Sequence, residues 1–343
     1  GVGAVPNAQV TLYKNGTQTS YGTKSAGPDG KWSIESQGMT LGENTLTCRQ
    51  TFKNVTSDNA DPVKVILLPP ATILSPSNNA VIFPADLLFN GTCQPGSSII
   101  VVNAQDHYVE YSERETFQTD NWQLSLKTGA TLSSGSLTIE AQYLFPDVPH
   151  GYSPPVTFHV LGLPLITAPA GSSIQDRTFT LKGDNGLSDL NSRVEVFVDA
   201  QMVGSGTVGA AGIWEVQVTL KPGNHSLAVE QIASGKRTER GAPRAFKIRP
   251  AKIDEVKVDI IDKSITFSGI GYPGATVVIT IPGWPVTLPQ PVVAEGGEWE
   301  VKATGLALGK HRASVLQKVP DNANGWIESL PYTFEFNNSL PDV

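Results

Sequence analysis

The chain has 343 residues, of which 39% are apolar and 17% charged, and these fractions exclude an intrinsically disordered protein. The net charge of −7 disfavours a general nucleic-acid-binding protein. No apolar run approaches the roughly 18 residues of a transmembrane helix, so we expect no membrane span in this chain.

Four tryptophans mark a repeat along the chain. Each follows a turn of acidic or small residues and begins an alternating apolar segment: DGKWSI at Trp32, TDNWQL at Trp122, AGIWEV at Trp214 and GGEWEV at Trp299. Successive tryptophans are 90, 92 and 85 residues apart. A period of this size indicates an array of small domains. We predict four of them, repeats 1 to 4, at residues 1–69, 70–160, 161–249 and 250–343.

Repeat 1 begins with GVGAVPNAQV, which aligns with GIGYPGATVV at residues 269–278 of repeat 4. The alignment predicts that the first one or two strands of repeat 1 are missing from this chain. Its remaining sheet would have an unpaired edge and a partly open core. We therefore expect either a loose structure at this end or cover from something outside this sequence.

The other three repeats alternate apolar and polar residues in short segments separated by turn residues. In repeat 2 the alternation predicts strands at 87–89, 99–103, 122–126, 137–143 and 156–160. In repeat 3 it predicts them at 179–181, 193–198, 214–220, 227–231 and 245–248, and in repeat 4 at 256–261, 264–269, 276–281, 299–301, 311–317 and 332–336. Such short strands, with turns every 8–12 residues or so, are typical of an antiparallel β-sandwich. We expect each repeat tryptophan to fill the core of its own sandwich.

The linkers between repeats are short, apolar and proline-bearing. They read LLPPATILSP at 67–76, VLGLPLITAP at 160–169 and IRPAKIDEV at 248–256. Proline-rich links are stiff spacers, so we predict that the repeats form an extended, semi-rigid rod. We also expect a monomer.

Several of these motifs together resemble the bacterial immunoglobulin-like repeats of large surface and secreted proteins, including biofilm-associated and repeat-in-toxin adhesins. They are the Pro95-Gly96 and Pro273-Gly274 turns, the four tryptophans, and the turns that end at His225 and His311. The resemblance implies an all-β fold of four immunoglobulin-like antiparallel β-sandwiches, the first truncated at its N-terminus. It also implies an extracellular or bacterial cell-surface location. Repeat 3 departs from the pattern, because DNGLSDLN replaces its Pro-Gly turn.

The sequence lacks the motifs of common catalytic and metal sites. It contains no G-x-S-x-G, H-E-x-x-H or paired C-x-x-C motif, so we predict that it is not an enzyme. Cys48 and Cys93 fall in different repeats, which excludes a disulfide within one domain and leaves small buried thiols or a bridge across repeats 1 and 2. The nearest calcium motif, DNADP at 58–62, offers fewer than the six to eight or so oxygens that calcium prefers. We predict no cofactor and no metal.

Two groups of residues are candidates for ligand binding. Trp284 and Trp326 lie outside the repeat register, and we predict both in loops of repeat 4, where an indole could stack on a sugar or on a partner protein. The alternative is that they cover the edge of their own domain. Repeat 3 has a basic loop that could attract an anionic glycan, lipopolysaccharide or an acidic repeat 2 of a neighbouring chain, or could simply be solvated. Its basic residues are Lys236, Arg237, Arg240 and Arg244.

Three functions are consistent with these features. The first is a non-catalytic extracellular stalk or adhesin segment that spaces or presents a binding or effector module. The second is a module that binds a glycan, or a host or bacterial surface protein, through the loops of repeat 4. The third is the immunoglobulin-like section of a larger secreted toxin or enzyme.

Overall fold

A computed structural model describes residues 1–145, 148–261 and 264–339. The chain separates into two compact units. Unit 1 comprises Gly1–Ala80, Leu87–Ala130 and Leu137–Phe158, and unit 2 comprises Val81–Asp86, Thr131–Ser136 and His159–Val343. Unit 1 therefore holds repeat 1 and most of repeat 2, and unit 2 holds repeats 3 and 4. The four predicted repeat boundaries stay predictions, and the last of them, at 343, lies outside the described residues.

Repeat 1 consists of one antiparallel sheet. Its strands are β1 (Gln9–Lys14), β2 (Ser20–Ser25), β3 (Gly42–Phe52), β4 (Val55–Thr56) and β5 (Val63–Leu67). Their order is β2-β1-β3-β4, and β5 pairs with β3. Residues 31–38, which include Trp32, form no strand, and Trp32 is only half-buried. The predicted truncation of this sandwich stays a prediction.

Repeat 2 has two sheets. Its strands are β6 (Thr72–Ser75), β7 (Val81–Ile82), β8 (Leu88–Thr92), β9 (Ser98–Asn103), β10 (Glu115–Thr116), β11 (Asn121–Ser125), β12 (Gly135–Phe145), β13 (Val148–Tyr152) and β14 (Val156–Val160). One sheet has the order β11-β8-β6, and the other has the order β10-β9-β12-β14 with β13 paired to β12. Within unit 2, β7 runs parallel to the end of β14.

Repeat 3 is a complete sandwich. Its strands are β15 (Leu165–Ala168), β16 (Ile174–Gln175), β17 (Thr178–Asp184), β18 (Arg193–Val198), β19 (Gln201–Thr207), β20 (Trp214–Thr219), β21 (Gly223–Ala233), β22 (Lys236–Arg237) and β23 (Arg244–Ile248). The sheets have the orders β15-β17-β20 and β16-β23-β21-β18-β19, and β22 pairs with β21.

Repeat 4 repeats this plan with fewer strands. They are β24 (Lys257–Ile261), β25 (Ser264–Ile270), β26 (Thr276–Thr280), β27 (Glu298–Thr304), β28 (Gly309–Pro320), β29 (Trp326–Glu328) and β30 (Tyr332–Asn338). The sheets have the orders β24-β25-β27 and β26-β28-β29, and β30 pairs with β28. The described chain contains no α-helix, only single 3-10 turns at Pro84–Asp86 and Ala210–Gly212. The predicted all-β, immunoglobulin-like fold class is confirmed.

Three of the four repeat tryptophans lie in the cores, as predicted, and Trp32 does not. Trp122, Trp214 and Trp299 are 2%, 1% and 4% exposed. In repeats 3 and 4 the tryptophan packs with the inward-facing residues of both sheets. The indole contributes a large buried apolar area at the centre of a small core, which explains why it recurs once per repeat.

A glycine faces each of these tryptophans on the neighbouring strand, a feature that the tryptophan pattern does not indicate. The cross-strand pairs are Gly91 with Trp122, Gly183 with Trp214, and Gly269 with Trp299. A Cβ at Gly269 would lie 2.8 Å from Trp299 Cζ2 and 2.9 Å from the Glu255 carbonyl oxygen. The absence of a side chain therefore creates the space for the indole, and glycine is the residue that allows so close an approach.

Four strands of repeat 3 escaped the sequence prediction, namely β15, β16, β19 and β22, and β19 is the longest of them. Strand β19 (QMVGSGT) pairs with β18, but its two glycines interrupt the apolar alternation. A Cβ at Gly204 would lie 2.8 Å from Val216 Cγ1, and the Cβ of a residue at 206 would overlap the Glu215 carbonyl. The glycines allow β19 to pass close to β20 of the other sheet, so close packing replaced the alternation that identifies a strand.

Candidate functional site

Two buried glutamines occupy the same position in repeats 3 and 4, and we call them the joint glutamines. Gln231 lies in β21 and Gln317 in β28, and they are 0% and 2% exposed. The backbone N–H of Gln231 donates to Thr238 Oγ1 (3.0 Å), and that of Gln317 donates to Ser329 Oγ (3.1 Å). A buried amide side chain needs partners for its donors and its acceptor. Both side chains find these partners where a linker enters the repeat.

Each joint glutamine connects a turn of its repeat to the preceding linker. The amide oxygen of the first accepts a hydrogen bond from the Leu187 backbone N–H (2.9 Å), and that of the second accepts one from the Tyr272 N–H (2.7 Å). The amide nitrogen of the first donates to the Gly162 carbonyl, and that of the second donates to the Ala251 carbonyl (2.6 Å). Removing such an amide would leave buried backbone groups unpaired, at a cost of about 1–3 kcal/mol for each group.

Further hydrogen bonds hold the linker between repeats 2 and 3, and all of the residues involved belong to unit 2. Ser134 Oγ accepts from the Gly162 N–H (2.9 Å), and the Ser134 N–H donates to Asn185 Oδ1 (2.8 Å). Asn185 Nδ2 in turn donates to the Leu163 carbonyl (2.7 Å). Three consecutive linker residues, 161–163, thus bond to other parts of unit 2, because the Leu161 N–H also donates to a carbonyl of β7.

The unusual loop of repeat 3 has a structural role at the joint between repeats 2 and 3, where the linker enters repeat 3. The loop DNGLSDLN, at residues 184–191, replaces the Pro-Gly turn of repeats 2 and 4. Its Leu187 is fully buried in a small apolar cluster with Val81, Leu161 and Ala233, against which Phe83 packs. The loop therefore supplies an apolar side chain that closes the joint with the part of repeat 2 that lies in unit 2.

The joint between repeats 3 and 4 is closed mainly by polar contacts. Lys247 Nζ lies 2.5 Å from Asp321 Oδ2, and the Arg177 guanidinium lies 5.7 Å from the centroid of the Tyr272 ring. The hydrogen bond from Lys247 lowers the pKa of the Asp321 carboxyl. The Arg177–Tyr272 contact has the geometry of a cation–π pair. The backbone N–H of Tyr272 also donates to the joint glutamine Gln317, so Tyr272 contacts both this glutamine and Arg177.

The predicted basic loop of repeat 3 is engaged within unit 2. Lys236 Nζ donates to the Val81 carbonyl (2.6 Å) and lies 5.8 Å from the centroid of the Phe83 ring. Arg244 Nη1 donates to the Pro169 carbonyl (3.2 Å). These two cations hold together parts of unit 2.

The other two cations of the loop face a buried acidic pair. Arg237 Nη1 lies 2.7 Å from Glu195 Oε2 and contacts Glu230 as well. Arg240 lies 3.5 Å from Glu230 through Nε and 3.8 Å from the centroid of the Phe197 ring. Glu195 and Glu230 are only 6% and 5% exposed, so these cations neutralise carboxylates that would otherwise be buried unpaired. Each of the four cations of the loop thus has a partner within unit 2, and the predicted site for an anionic glycan stays a prediction.

The two off-register tryptophans have different environments. Trp284 lies in a turn after β26, where its backbone N–H donates to the Ile281 carbonyl. Its half-buried indole packs against the core of repeat 4. Trp326 is the first residue of β29 and pairs with Pro320, so its prediction as a loop residue is wrong. Its indole is 49% exposed, and Lys318 Nζ lies 4.4 Å from the ring centroid.

The register of β28 places these two tryptophans apart. Thr280, at the end of β26 that leads to Trp284, pairs with Ser314, whereas Trp326 pairs with Pro320. Six residues of extended strand span roughly 20 Å. The two indoles therefore lie toward opposite ends of the sheet, and one continuous binding patch made of both is excluded.

His225 and His311 have the same role in equivalent turns of repeats 3 and 4. Nε2 of His225 lies 2.8 Å from the Lys221 carbonyl oxygen, and Nε2 of His311 lies 2.7 Å from the Ala307 carbonyl oxygen. Each ring bonds to the carbonyl four residues earlier and so closes the turn that precedes its strand.

The cysteines and the predicted calcium motif add no metal centre within the described residues. Cys48 and Cys93 are free thiols, and burial raises the pKa of both. In residues 1–145, 148–261 and 264–339, no three His, Cys, Asp or Glu residues group in a way that could hold a metal ion. In the turn at 58–62, Asn59 Oδ1 already accepts a hydrogen bond from Arg49 (2.5 Å). The same described residues contain no helix of the length and apolarity that a membrane span needs.

Comparison with known proteins bears on the fold only. No protein family matches the chain, and no curated sequence matches it. Similar solved structures include the fibronectin(III)-like modules of Clostridium thermocellum CbhA, at 19% identity, 52% coverage of this chain, 92% of that one and a TM-score of 0.23. The FN1–FN3 domains of chicken CNTN1 are 11% identical, with 79% and 98% coverage and a TM-score of 0.32. The BSP domain of a biofilm associated protein is 9% identical, with 95% and 90% coverage and a TM-score of 0.19. At these identities and scores no functional argument rests on the similarity.

Proposed function

We propose that this chain is a non-catalytic segment of an extracellular stalk or adhesin, of the type found on bacterial surfaces, that spaces or presents a binding or effector module. The observation that carries the proposal is the use of a buried glutamine in each of two successive repeats to bond the incoming linker. Relative motion of neighbouring domains is the ordinary expectation unless their interface is extensive. Contacts that fix a linker are what a spacer needs if it is to hold the next module at a defined distance.

The chemistry of the joints supports a mechanical role. Their polar groups bond to each other and to the backbone: the Asn185 amide to the Leu163 carbonyl, and the Lys247 ammonium to Asp321. Immunoglobulin-like and fibronectin-III domains are, as a class, mostly non-catalytic, and the sequence carries no catalytic motif that we can identify.

The experiment that tests the spacer role measures rotational motion in the full chain. Backbone ¹⁵N relaxation should give the same rotational diffusion for amides of β20 in repeat 3 and of β27 in repeat 4. A stiff spacer should also remain silent on an array of glycans and bacterial surface extracts. Independent tumbling of the two repeats, or specific binding to an array component, would contradict the spacer role.

A second candidate function is ligand binding at Trp326, which is favoured by its half-exposed indole on a paired strand. A rigidly held aromatic ring loses little entropy when it stacks on a sugar or on an apolar protein surface. Trp326→Ala should then abolish binding to the array and leave the stability of repeat 4 almost unchanged.

Trp284→Ala is the matched control in the same repeat. Because its indole packs on the core, its removal should lower the stability of repeat 4 by about 2–4 kcal/mol. If Trp326→Ala leaves binding unchanged, or destabilises repeat 4 as much as Trp284→Ala does, the candidate function at Trp326 is wrong.

A further inference from the structure

We infer that the residue at the joint-glutamine position sets the stiffness of each joint, and that the joint between repeats 1 and 2 is the flexible one. The inference rests on the proposed spacer function and refines it, because it locates the point at which the segment bends. It follows from a comparison of three equivalent positions in one chain.

Repeat 2 carries Ala141 at this position. The Ala141 N–H donates to Ser153 Oγ (2.9 Å), the same bond that the joint glutamines make to Thr238 and Ser329. The strand register agrees, because Ala141 pairs with Val101 of β9 as Gln231 and Gln317 pair with the corresponding strands β18 and β26. Alanine has the same backbone environment but no amide, so it can bond neither a turn nor a linker.

The turn that faces this position in repeat 2 also differs. The Cys93 N–H bonds to the Asp120 carbonyl as the Gly271 N–H of repeat 4 bonds to the Gly297 carbonyl, so the residue after Cys93 corresponds to Tyr272. That residue is Gln94, whereas repeats 3 and 4 have Leu187 and Tyr272 there. The joint therefore lacks both the buried leucine of one neighbour and the stacking aromatic ring of the other.

The linker reflects these differences. Among the described residues, no hydrogen bond reaches the backbone of residues 68–71, whereas the linker at 161–163 accepts and donates several. Leu68 and Leu161 each follow the last strand of their repeat, and Leu68 is only half-buried whereas Leu161 is 1% exposed. Pro69 and Pro70 keep the linker extended, so the expected motion is a swing of repeat 1 about the ends of a short rigid link.

Spin-label distances in the full chain test this inference. Cys48→Ser and Cys93→Ala remove the native thiols. One pair of labels, at Lys24→Cys and Gln123→Cys, spans repeats 1 and 2. A second pair, at Gln217→Cys and Lys302→Cys, spans repeats 3 and 4. All four positions are exposed. Pulsed electron–electron double resonance then measures the width of each distance distribution.

We expect the distribution across repeats 1 and 2 to be at least about twofold broader than the one across repeats 3 and 4. Gln317→Ala should broaden the second distribution toward the first, and Ala141→Gln should narrow the first. Equal widths in the unmodified joints overturn the inference, and so does an unchanged width in folded Gln317→Ala or Ala141→Gln.

Hydrogen exchange of β27 and β12 checks that the two variants fold. If Gln317→Ala unfolds repeat 4, the widths of the unmodified joints and of Ala141→Gln decide the matter. These measurements do not depend on the array experiment, so the discovery of a ligand would refute the spacer role and leave the comparison of joints intact.

Discussion

Gly183→Ala is the most direct test of how the sandwich cores are built. A Cβ at this position would overlap both the Trp214 indole and the Leu165 carbonyl oxygen. Trp214 is 1% exposed and cannot move without disturbing the core, and Leu165 belongs to β15, an edge strand held to β17 alone in its sheet. The least costly relaxation is therefore for β15 to move away from β17.

The magnitude follows from three contributions. Overpacking of a filled core costs about 1–3 kcal/mol, and each ladder hydrogen bond that β15 loses adds about 1 kcal/mol. Replacement of glycine by alanine restricts the unfolded chain and returns about 0.4–1 kcal/mol. The backbone at Gly183 is not left-handed, so no conformational strain is added. We expect repeat 3 to lose about 1–3 kcal/mol in its free energy of unfolding.

Native-state hydrogen exchange read by mass spectrometry measures this loss repeat by repeat. Protection of β17 and β20 should fall, while β25 and β27 of repeat 4 serve as the internal reference. Gly241→Ala is the matched control, because its Cβ would lie at ordinary contact distances of 3.4 Å from the Pro164 oxygen and 3.6 Å from the Val229 oxygen. It should change stability by less than about 0.5 kcal/mol. If Gly183→Ala exchanges no faster than Gly241→Ala, the glycine does not create the space for the indole.

Two other predictions concern the same repeat. Trp214→Ala should lower the free energy of unfolding of repeat 3 by about 3–5 kcal/mol and expose β17 and β20 to exchange. Trp32→Ala in repeat 1 should cost less, because its indole is only half-buried. Equal losses would contradict the core role of Trp214. Burial would raise the pKa of Glu195, but hydrogen bonds from Arg237 and Arg193 outweigh it and hold that pKa below its ordinary value. The resulting stabilisation of repeat 3 is therefore present above the ordinary carboxyl pKa of about 4.3 and is lost as the pH falls through the lowered pKa. Unfolding of Glu195→Gln, followed between neutral and acid pH, should show a weaker acid destabilisation than the native chain, and an identical pH profile would refute this assignment.

The sequence predicted those parts of the fold that depend on alternation and on a bulky core residue. The tryptophan period indicated the repeats because one large side chain fills the small core of repeats 2, 3 and 4. Strands such as β20, whose residues are alternately buried and exposed, followed the alternation closely. Strand β19 was missed because its glycines serve close packing between sheets, which leaves no alternating pattern. Trp326 was placed in a loop because DNANG is a turn, but the turn is tight enough for the strand to begin at the tryptophan itself.

The binding role predicted for the basic loop stays a prediction, because the sequence does not show what its cations face. A cluster of lysine and arginine in a loop has the same sequence whether it faces solvent or neutralises buried carboxylates on another strand. Glu195 lies 42 residues from Arg237, so only the fold brings the two together. The sequence alone therefore could not show that Arg237 pairs with Glu195.

The joint glutamines recur at a nearly constant distance from the repeat tryptophans, but this spacing can be interpreted only once the strand register is known. Gln231 and Gln317 follow their repeat tryptophans by 17 and 18 residues, and Gln50 follows Trp32 by 18 residues. The Gln50 amide oxygen accepts a hydrogen bond from the Val5 N–H (2.7 Å), the bond that its counterparts make to Leu187 and Tyr272. Both joint glutamines stand in register with the buried apolar residues of their strands, but a pattern based on hydropathy scores glutamine as a surface residue.

A tandem array must solve two separate problems, and this chain assigns them to different positions of the repeat. The glycine and tryptophan pair stabilises the core of one sandwich. The joint glutamine lies at the end of the same sandwich and bonds the linker that precedes it. Because the two positions are independent, Ala141 can replace the glutamine in repeat 2 while Trp122 still fills its core. Joint stiffness can therefore vary along such an array, repeat by repeat, without a change in the fold of any domain.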